Sequence, residues 1–196
     1  MSDFAIGILG GSFDPVHNAH MKLAEAARRQ CALDKLIFVP ARQAALKDCP
    51  AAAPAAHRLE MLKIAASRLD FAFEIDEFEL SRGGVGYSID TALHLRGIYP
   101  NARLIWIIGS DHIGKLAQWK DIERLCSIVE FACARRPGYS LSADGAPKCA
   151  RISFIDFDPL DISSTAARKA IAVKKNAESM LDIAVISYIN KHKLYQ

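Results

Sequence analysis

The sequence predicts an α/β fold in which helices pack on a parallel sheet and the chain ends in helices. Short β-rich apolar runs alternate with longer stretches of helical periodicity, which is typical of β–α–β units. The last third of the chain changes to helical patterns and capping residues. Because 196 residues suffice for one well-buried core and are few for two, we expect a single domain over 1–196.

The strands are predicted from the apolar runs. The clearest is the continuous run from Leu104 to Ile108, which is what a strand buried on both faces requires. Pro40 closes the second strand, and three glycines (Gly83, Gly84 and Gly86) end an extended segment. The predicted strands and extended segment are 4–9, 35–39, 71–80, 103–108, 128–134 and 152–155.

The helices are predicted from apolar residues at helical spacing and from capping residues. Met21, Leu23, Ala24 and Ala27 follow the first strand at this spacing, and Ser163 or Ser164 can cap a later helix. The predicted helices are 18–30, 57–69, 88–97, 163–171 and 179–191, with a mobile Ala- and Pro-rich loop at 51–56. The arrangement is that of a doubly wound, Rossmann-like parallel sheet with a helical C-terminal end.

Composition argues against several functional classes. The chain is 51% hydrophobic and 24% charged with a net charge of +3, and its basic residues are dispersed, so a nucleic-acid surface is not expected. No apolar run approaches the length of a membrane span or forms a signal peptide, and a cytoplasmic protein is expected. The five cysteines form no C-x-x-C pair and are expected to be reduced thiols.

The strongest chemical signal is the segment from Gly10 to His20, between the first strand and the first helix. Gly10 and Gly11 allow a ligand to approach the backbone, and the helix start offers free N–H groups to an anion. His17 and His20 are three residues apart and can project from one face. Two histidines at this spacing alone fit a surface pair or half a metal site, but the glycines and the strand-to-helix junction favour a phosphate site.

A second signal is the segment Ile162 to Arg168, where hydroxyl side chains begin a helix. Capping explains Ser163. It does not explain Arg168, whose positive charge near a helix N-terminus is unfavourable unless an anion binds there.

These segments resemble the H-x-G-H and I-S-S-T-x-x-R motifs of nicotinate-mononucleotide adenylyltransferases, members of the nucleotidylyltransferase superfamily. Ser12 and Ala19 stand where that family has Thr and Gly, and Lys47 follows Ala44-Ala45-Leu46 where relatives have P-P-H. The resemblance implies three groups of residues. Catalytic roles fall to His17, His20, Lys47 and Arg168; ATP binding to Gly10, Gly11, Ser12, Phe13, His20, Gly109, Arg136, Ile162, Ser163, Ser164 and Arg168; and acceptor binding to Tyr87, Ser88, Asp111, Trp119 and Lys120.

The resemblance implies transfer of the adenylyl group of ATP to nicotinate mononucleotide, with release of pyrophosphate and formation of deamido-NAD. Mg²⁺ is expected to arrive on the nucleotide, because the sequence offers no close carboxylate cluster to cage a metal. Trp119 fits either a core residue or a ring that stacks on the pyridine. The alternatives are a pantetheine-phosphate adenylyltransferase, a cytidylyltransferase, or a regulatory nucleotide-binding protein that has lost catalysis. The oligomeric state stays open.

Overall fold

The sheet has six parallel strands in a computed structural model that describes residues 4–42, 50–82, 84–135, 138, 142–158 and 160–196. The strands are β1 (Ala5–Gly11), β2 (Lys35–Pro40), β3 (Phe73–Ile75), β4 (Arg103–Gly109), β5 (Val129–Ala134) and β6 (Ile152–Ile155). Their order in the sheet is β3-β2-β1-β4-β5-β6. This order and the parallel pairing confirm the predicted doubly wound, Rossmann-like fold.

Helices cover both faces of the sheet. They are α1 (Asn18–Gln30), α2 (Ala55–Ala66), α3 (Phe78–Arg82), α4 (Ser88–Ile98), a 3-10 helix (Ser110–Gln118), α5 (Ile122–Ile128), α6 (Ser164–Ala172) and α7 (Ile183–Lys191). One apolar cluster joins the sheet to α1, α2, α6 and α7, and a second joins it to α4, α5 and the 3-10 helix. No helix in the described ranges is long and apolar enough to cross a membrane.

Successive residues of the central strands enter opposite clusters. In β2, Leu36 and Phe38 lie in the first cluster, whereas Ile37 and Val39 lie in the second. All four side chains are fully buried. This two-sided burial explains why the central strands are continuous apolar runs rather than alternating ones.

The extended prediction for 71–80 is correct only at β3. The chain turns into α3 because the Asp76 carboxylate accepts a hydrogen bond from the backbone N–H of Phe78 at 2.8 Å. The same carboxylate contacts His94 Nε2 at 3.0 Å, which ties this turn to α4. A side chain that bonds the backbone two residues ahead competes with the sheet ladder, so the strand ends early.

Two other expectations need correction. The last helix begins at Ile183 rather than near Ser179, because Asp182 caps it by accepting from the Ala184 N–H at 2.7 Å. The segment 51–56, expected to be a mobile loop, is partly anchored: Ala53 is 4% exposed and its N–H is hydrogen-bonded, as described below. Its last two residues already belong to α2.

Candidate active site

The topology directs attention to the edge of the sheet formed by the carboxyl ends of β1 and β4. The chain leaves β1 toward β2 on one side and returns to β4 on the other, so the strand order reverses between these two neighbours. Ligands of open α/β sheets bind at this switch point. Leu9 pairs with Ile107, which brings Gly10 and Gly11 to the same edge of the sheet as Gly109.

The loop after β1 is held by the ring of Phe13. This residue has a positive φ of 46° and is 1% exposed, and its ring packs edge-on against Phe38 and His20 at centroid distances of 6.0 and 5.0 Å. A Cβ at Gly11 would lie 3.1 Å from the Phe13 ring, so any larger residue there would press on this ring. Gly10 is exposed, and among the described residues its Cβ would meet Trp106 alone, at 3.8 Å, which leaves room for a ligand.

His17 and His20 lie together at the N-terminus of α1. Their rings stack with centroids 3.7 Å apart and planes 20° apart. The backbone N–H of His17 donates to Nδ1 of His20 at 3.2 Å. A neutral imidazole that accepts at Nδ1 carries its proton on Nε2, so His20 has an N–H donor at that atom. The helix dipole at this end favours an anion.

The two sequence motifs meet in space. Ser164 Oγ donates to the carbonyl oxygen of Pro15 at 2.9 Å, and Arg168 Nη1 donates to that of Asp14 at 2.7 Å. The N-terminus of α6 therefore contacts the loop that leads into α1, although some 150 residues separate them. The N-termini of α1 and α6 therefore lie near each other, and each can bind an anion such as a phosphate.

The hydroxyl groups of Ser163 and Ser164 make different hydrogen bonds. Ser163 caps α6 by accepting from the Ala166 N–H at 3.1 Å, which confirms the predicted cap and leaves its own O–H able to donate. Ser164 uses its only O–H on Pro15. The N–H of Ile162 donates to the carbonyl of Leu160 at 2.8 Å, so any contact of Ile162 with ATP must come from other atoms.

The expectation that only a bound anion explains Arg168 is wrong. The carboxylate of Asp14 lies 3.5 Å from Arg168 Nη1, and Nη2 donates to Thr165 Oγ1 at 3.3 Å. The protein itself therefore supplies part of the negative charge that this arginine needs near a helix N-terminus. The hydrogen bonds to Asp14 and Thr165 use two of the five N–H donors of a guanidinium, and a phosphate can accept from others.

Besides Arg168, Asp14 connects two further parts of the chain to the loop after β1. It is 4% exposed, and its carboxylate accepts from the backbone N–H groups of Ala52 and Ala53 at 2.7 and 3.0 Å. The hydroxyl of Tyr195 donates to it at 2.8 Å. Burial, followed by this hydrogen bond, raises the pKa of the Tyr195 phenol. These contacts agree with the interpretation of Asp14 as a structural loop residue.

Sequence reasoning missed Arg58. Its side chain is 2% exposed in α2, and its guanidinium donates to the carbonyl oxygens of Ser12 and Ala41, which join the loop after β1 to the end of β2. Burial lowers the pKa of Arg58. The sequence could have indicated that Arg58 is buried, because it precedes Met61 and Leu62 at helical spacing and so shares their buried face of α2.

The segments predicted to bind the acceptor also lie side by side. Lys120 Nζ lies 4.2 Å from the ring centroid of Tyr87, the residue that precedes Ser88 at the start of α4. Trp119 packs edge-on against Trp106 and other rings of the second cluster, and its indole nitrogen is buried. The core interpretation of Trp119 is thus supported, and its stacking on a pyridine stays a prediction.

Of the remaining predicted residues, the structure describes Asp111 but not Lys47 or Arg136. Asp111 opens the 3-10 helix, and its carboxylate lies 3.7 Å from His112 Nε2. Across the described ranges, no three His, Cys, Asp or Glu side chains converge as the ligands of a metal ion would.

Comparison with known proteins identifies the family. The cytidylyltransferase-like family model matches residues 8–170. A nicotinate-nucleotide adenylyltransferase of Opitutus terrae is 39% identical over 97% of this chain and 97% of its own length. One from Bordetella avium is 36% identical, with 97% and 98% covered. This chain belongs to the nicotinate-nucleotide adenylyltransferase family.

The family's fold is also seen in a solved structure. The nicotinic acid mononucleotide adenylyltransferase of Plasmodium falciparum, complexed with NaAD, superposes with a TM-score of 0.82 over 98% of this chain and 97% of that one. At 22% identity this likeness concerns the fold alone.

Ala19 stands where the adenylyltransferase motif has glycine, and it lies inside α1. Alanine stabilises a helix better than glycine does, so this substitution suits the helix.

Proposed function

We propose that this chain catalyses adenylyl transfer from ATP to nicotinate mononucleotide as a single domain over 1–196 in the cytoplasm. Family membership supports the reaction. The observation that carries the site is the bonding of Ser164 and Arg168 to the loop that leads to His17 and His20. That contact joins the two motifs near the switch point of the sheet, which supports the proposal that both bind phosphate.

The reaction requires positioning and charge neutralisation more than a protein nucleophile. The 5′-phosphate oxygen of the mononucleotide attacks the α-phosphorus of ATP in line, a new P–O bond forms, and the bond to the β-phosphate breaks as pyrophosphate leaves. His20 Nε2–H and His17 donate to the α-phosphate and the bridging oxygen, where charge develops. Ser12 assists from the loop that Arg58 fixes.

Residues at the N-terminus of α6 are proposed to bind the departing phosphates. Arg168 donates those N–H groups that it does not use on Asp14 and Thr165, and Ser163 donates its hydroxyl. Ser164 contributes through its backbone N–H, because its hydroxyl is bonded to Pro15. The family resemblance assigns screening of the attacking phosphate to Lys47 and ATP binding to Arg136.

Mg²⁺ fits this donor set as an ion carried by the nucleotide. The described site is lined by imidazole, guanidinium and hydroxyl groups, which bind phosphate rather than a hard cation, and no three-residue metal cluster exists in the described ranges. The phosphate oxygens of ATP would therefore hold the ion. When bound, it neutralises charge on the leaving pyrophosphate.

The acceptor is proposed to bind where Tyr87 and Ser88 face the Trp119–Lys120 turn. The positive charge of Lys120 and the dipole at the N-terminus of α4 favour a carboxylate over a carboxamide. Each good charge-assisted bond is worth about 1.5–3 kcal/mol, so nicotinate should be preferred over nicotinamide mononucleotide by roughly tenfold or more. Asp111 is proposed to bind ribose hydroxyls.

The test is pyrophosphate release from ATP and Mg²⁺ with a panel of acceptors, namely the two pyridine mononucleotides and phosphopantetheine. CTP in place of ATP tests the donor. We expect release with nicotinate mononucleotide and ATP. Release only with phosphopantetheine or CTP would favour another superfamily member, and binding without release would indicate a regulatory protein. Equal use of both pyridine mononucleotides would defeat the acceptor pocket and leave adenylyl transfer standing.

A further inference from the structure

Two thiols are in contact away from the phosphate-binding loop. Cys126 lies in α5, and Cys149 lies in the segment that leads into β6. Their sulfur atoms are 3.0 Å apart. Both belong to the four described cysteines that are free thiols. The proposed adenylyl transfer uses neither of them.

The two sulfurs differ in access. Cys126 is 5% exposed and packs in the second apolar cluster, whereas Cys149 is exposed. Burial, followed by the hydrogen bond with Cys149, raises the pKa of Cys126 to about 12, so Cys126 is a poor first target for an oxidant. Cys149 lies with Lys148 on the wall of a groove beside α5, where a small oxidant can reach it.

We propose that Cys126 and Cys149 form a reversible dithiol–disulfide site that hydroperoxides oxidise. A hydroperoxide transfers one oxygen to the Cys149 thiol, giving a sulfenic acid, and is itself reduced to water or an alcohol. The sulfur of Cys126 then bonds to the Cys149 sulfur, and the sulfenic hydroxyl leaves with the Cys126 proton as water. An external dithiol reverses the step by two successive exchanges, which return both cysteines to thiols and leave the dithiol as a disulfide.

The surrounding structure suits this bond. The segments that carry the two sulfurs pack on the same core cluster, through Leu125 on one side and Ala146 and Ala150 on the other. Bond formation therefore joins parts that already pack together, and proximity of this kind accelerates the second step. The disulfide closes a loop that contains β5. Such closure stabilises the folded protein mainly by restricting the unfolded chain.

The test treats the reduced full-length protein with hydrogen peroxide, blocks remaining thiols and maps the peptides by mass spectrometry. We expect a mass loss of about 2 Da and a Cys126–Cys149 crosslinked peptide, both reversed by dithiothreitol. The oxidised protein should melt roughly 5 °C higher than the reduced one. The matched control is Cys133→Ala, which removes a fully buried thiol and should leave the crosslink intact.

Two variants separate the steps. Cys149→Ser should abolish the mass loss, and Cys126→Ala should leave Cys149 as a sulfenic acid that dimedone labels. A mass loss that persists in Cys149→Ser, or wild-type protein in which Cys149 is overoxidised without a bond to Cys126, would overturn the proposal. None of these readouts depends on adenylyl transfer, so the two proposals can fail separately.

Discussion

The proton position of His20 follows from the way its side chain caps α1. His20 Nδ1 accepts the backbone N–H of His17, and the two rings stack. One side chain thus stabilises the helix start with one nitrogen and keeps an N–H on the other. The sequence showed the spacing of the two histidines, but the tautomer follows only from the contact.

Substitution of His20 should separate capping from catalysis. His20→Ala removes both the cap acceptor and the Nε2–H, so the maximal rate should fall on the order of 100-fold or more and stability by about 1 kcal/mol. His20→Asn keeps an oxygen near the position of Nδ1 and should lose rate with little loss of stability. Turnover kinetics and thermal melting measure the two effects. Near-normal turnover in either variant would remove His20 from the mechanism.

Arg168 is expected to matter for the fold as well as for ATP. Arg168→Ala removes the hydrogen bond to the Asp14 carbonyl and the ion pair with its buried carboxylate, which should cost about 1–2 kcal/mol of stability and raise the Kd for ATP. Arg168→Lys should recover only part of the ATP affinity, because the lysine ammonium cannot form the paired hydrogen bonds that a guanidinium donates to a phosphate. Denaturant unfolding and calorimetric titration with ATP test this. ATP binding as tight as wild type in both variants would contradict the assignment.

At the scale of elements, apolar runs and capping residues predicted most strands and helices. Elements whose ends depend on a single side-chain hydrogen bond were missed. The apolar run Leu104 to Ile108 predicted β4, and Ser163 predicted the start of α6. The helix α3 was missed because it depends on one bond from the Phe78 N–H to Asp76. The 3-10 helix was missed although Ile113 and Leu116, both buried, have its three-residue spacing.

The loop after β1 offers a paired test of packing against ligand space. Gly11→Ala would place a methyl 3.1 Å from the Phe13 ring, which Phe38 and His20 enclose, and should destabilise the protein by about 1–3 kcal/mol. Gly10→Ala meets no close protein atom and should fold normally but raise the KM for ATP. Melting temperatures and ATP titrations of the two variants check this. Equal melting temperatures would show that Phe13 can move aside.

At the scale of the molecule, distant parts of the chain meet at Asp14. Arg168 bonds its carbonyl from 154 residues away, and Tyr195 bonds its carboxylate from 181 residues away. The meeting of the two motifs was predictable from the family resemblance. The bond to Tyr195 was not, because nothing in the sequence near Asp14 specifies which donors a buried carboxylate finds.

Tyr195→Phe tests this long-range connection. Loss of the hydroxyl leaves the buried Asp14 carboxylate short of a donor and should cost about 1–2 kcal/mol at neutral pH. Because the folded-state pKa of Tyr195 is raised, its contribution is complete below about pH 10, the usual phenol pKa, and is lost as the pH rises through the folded-state value. Unfolding free energies of the wild type and the variant should therefore differ by a constant below about pH 10 and converge above it. The matched control is Tyr188→Phe, which removes a phenol that is bonded to His57 and leaves every donor to the Asp14 carboxylate in place. If Tyr195→Phe matched the wild type in stability at neutral pH, the Asp14 carboxylate would not need a donor from the far end of the chain, and its contacts with Ala52, Ala53 and Arg168 would suffice.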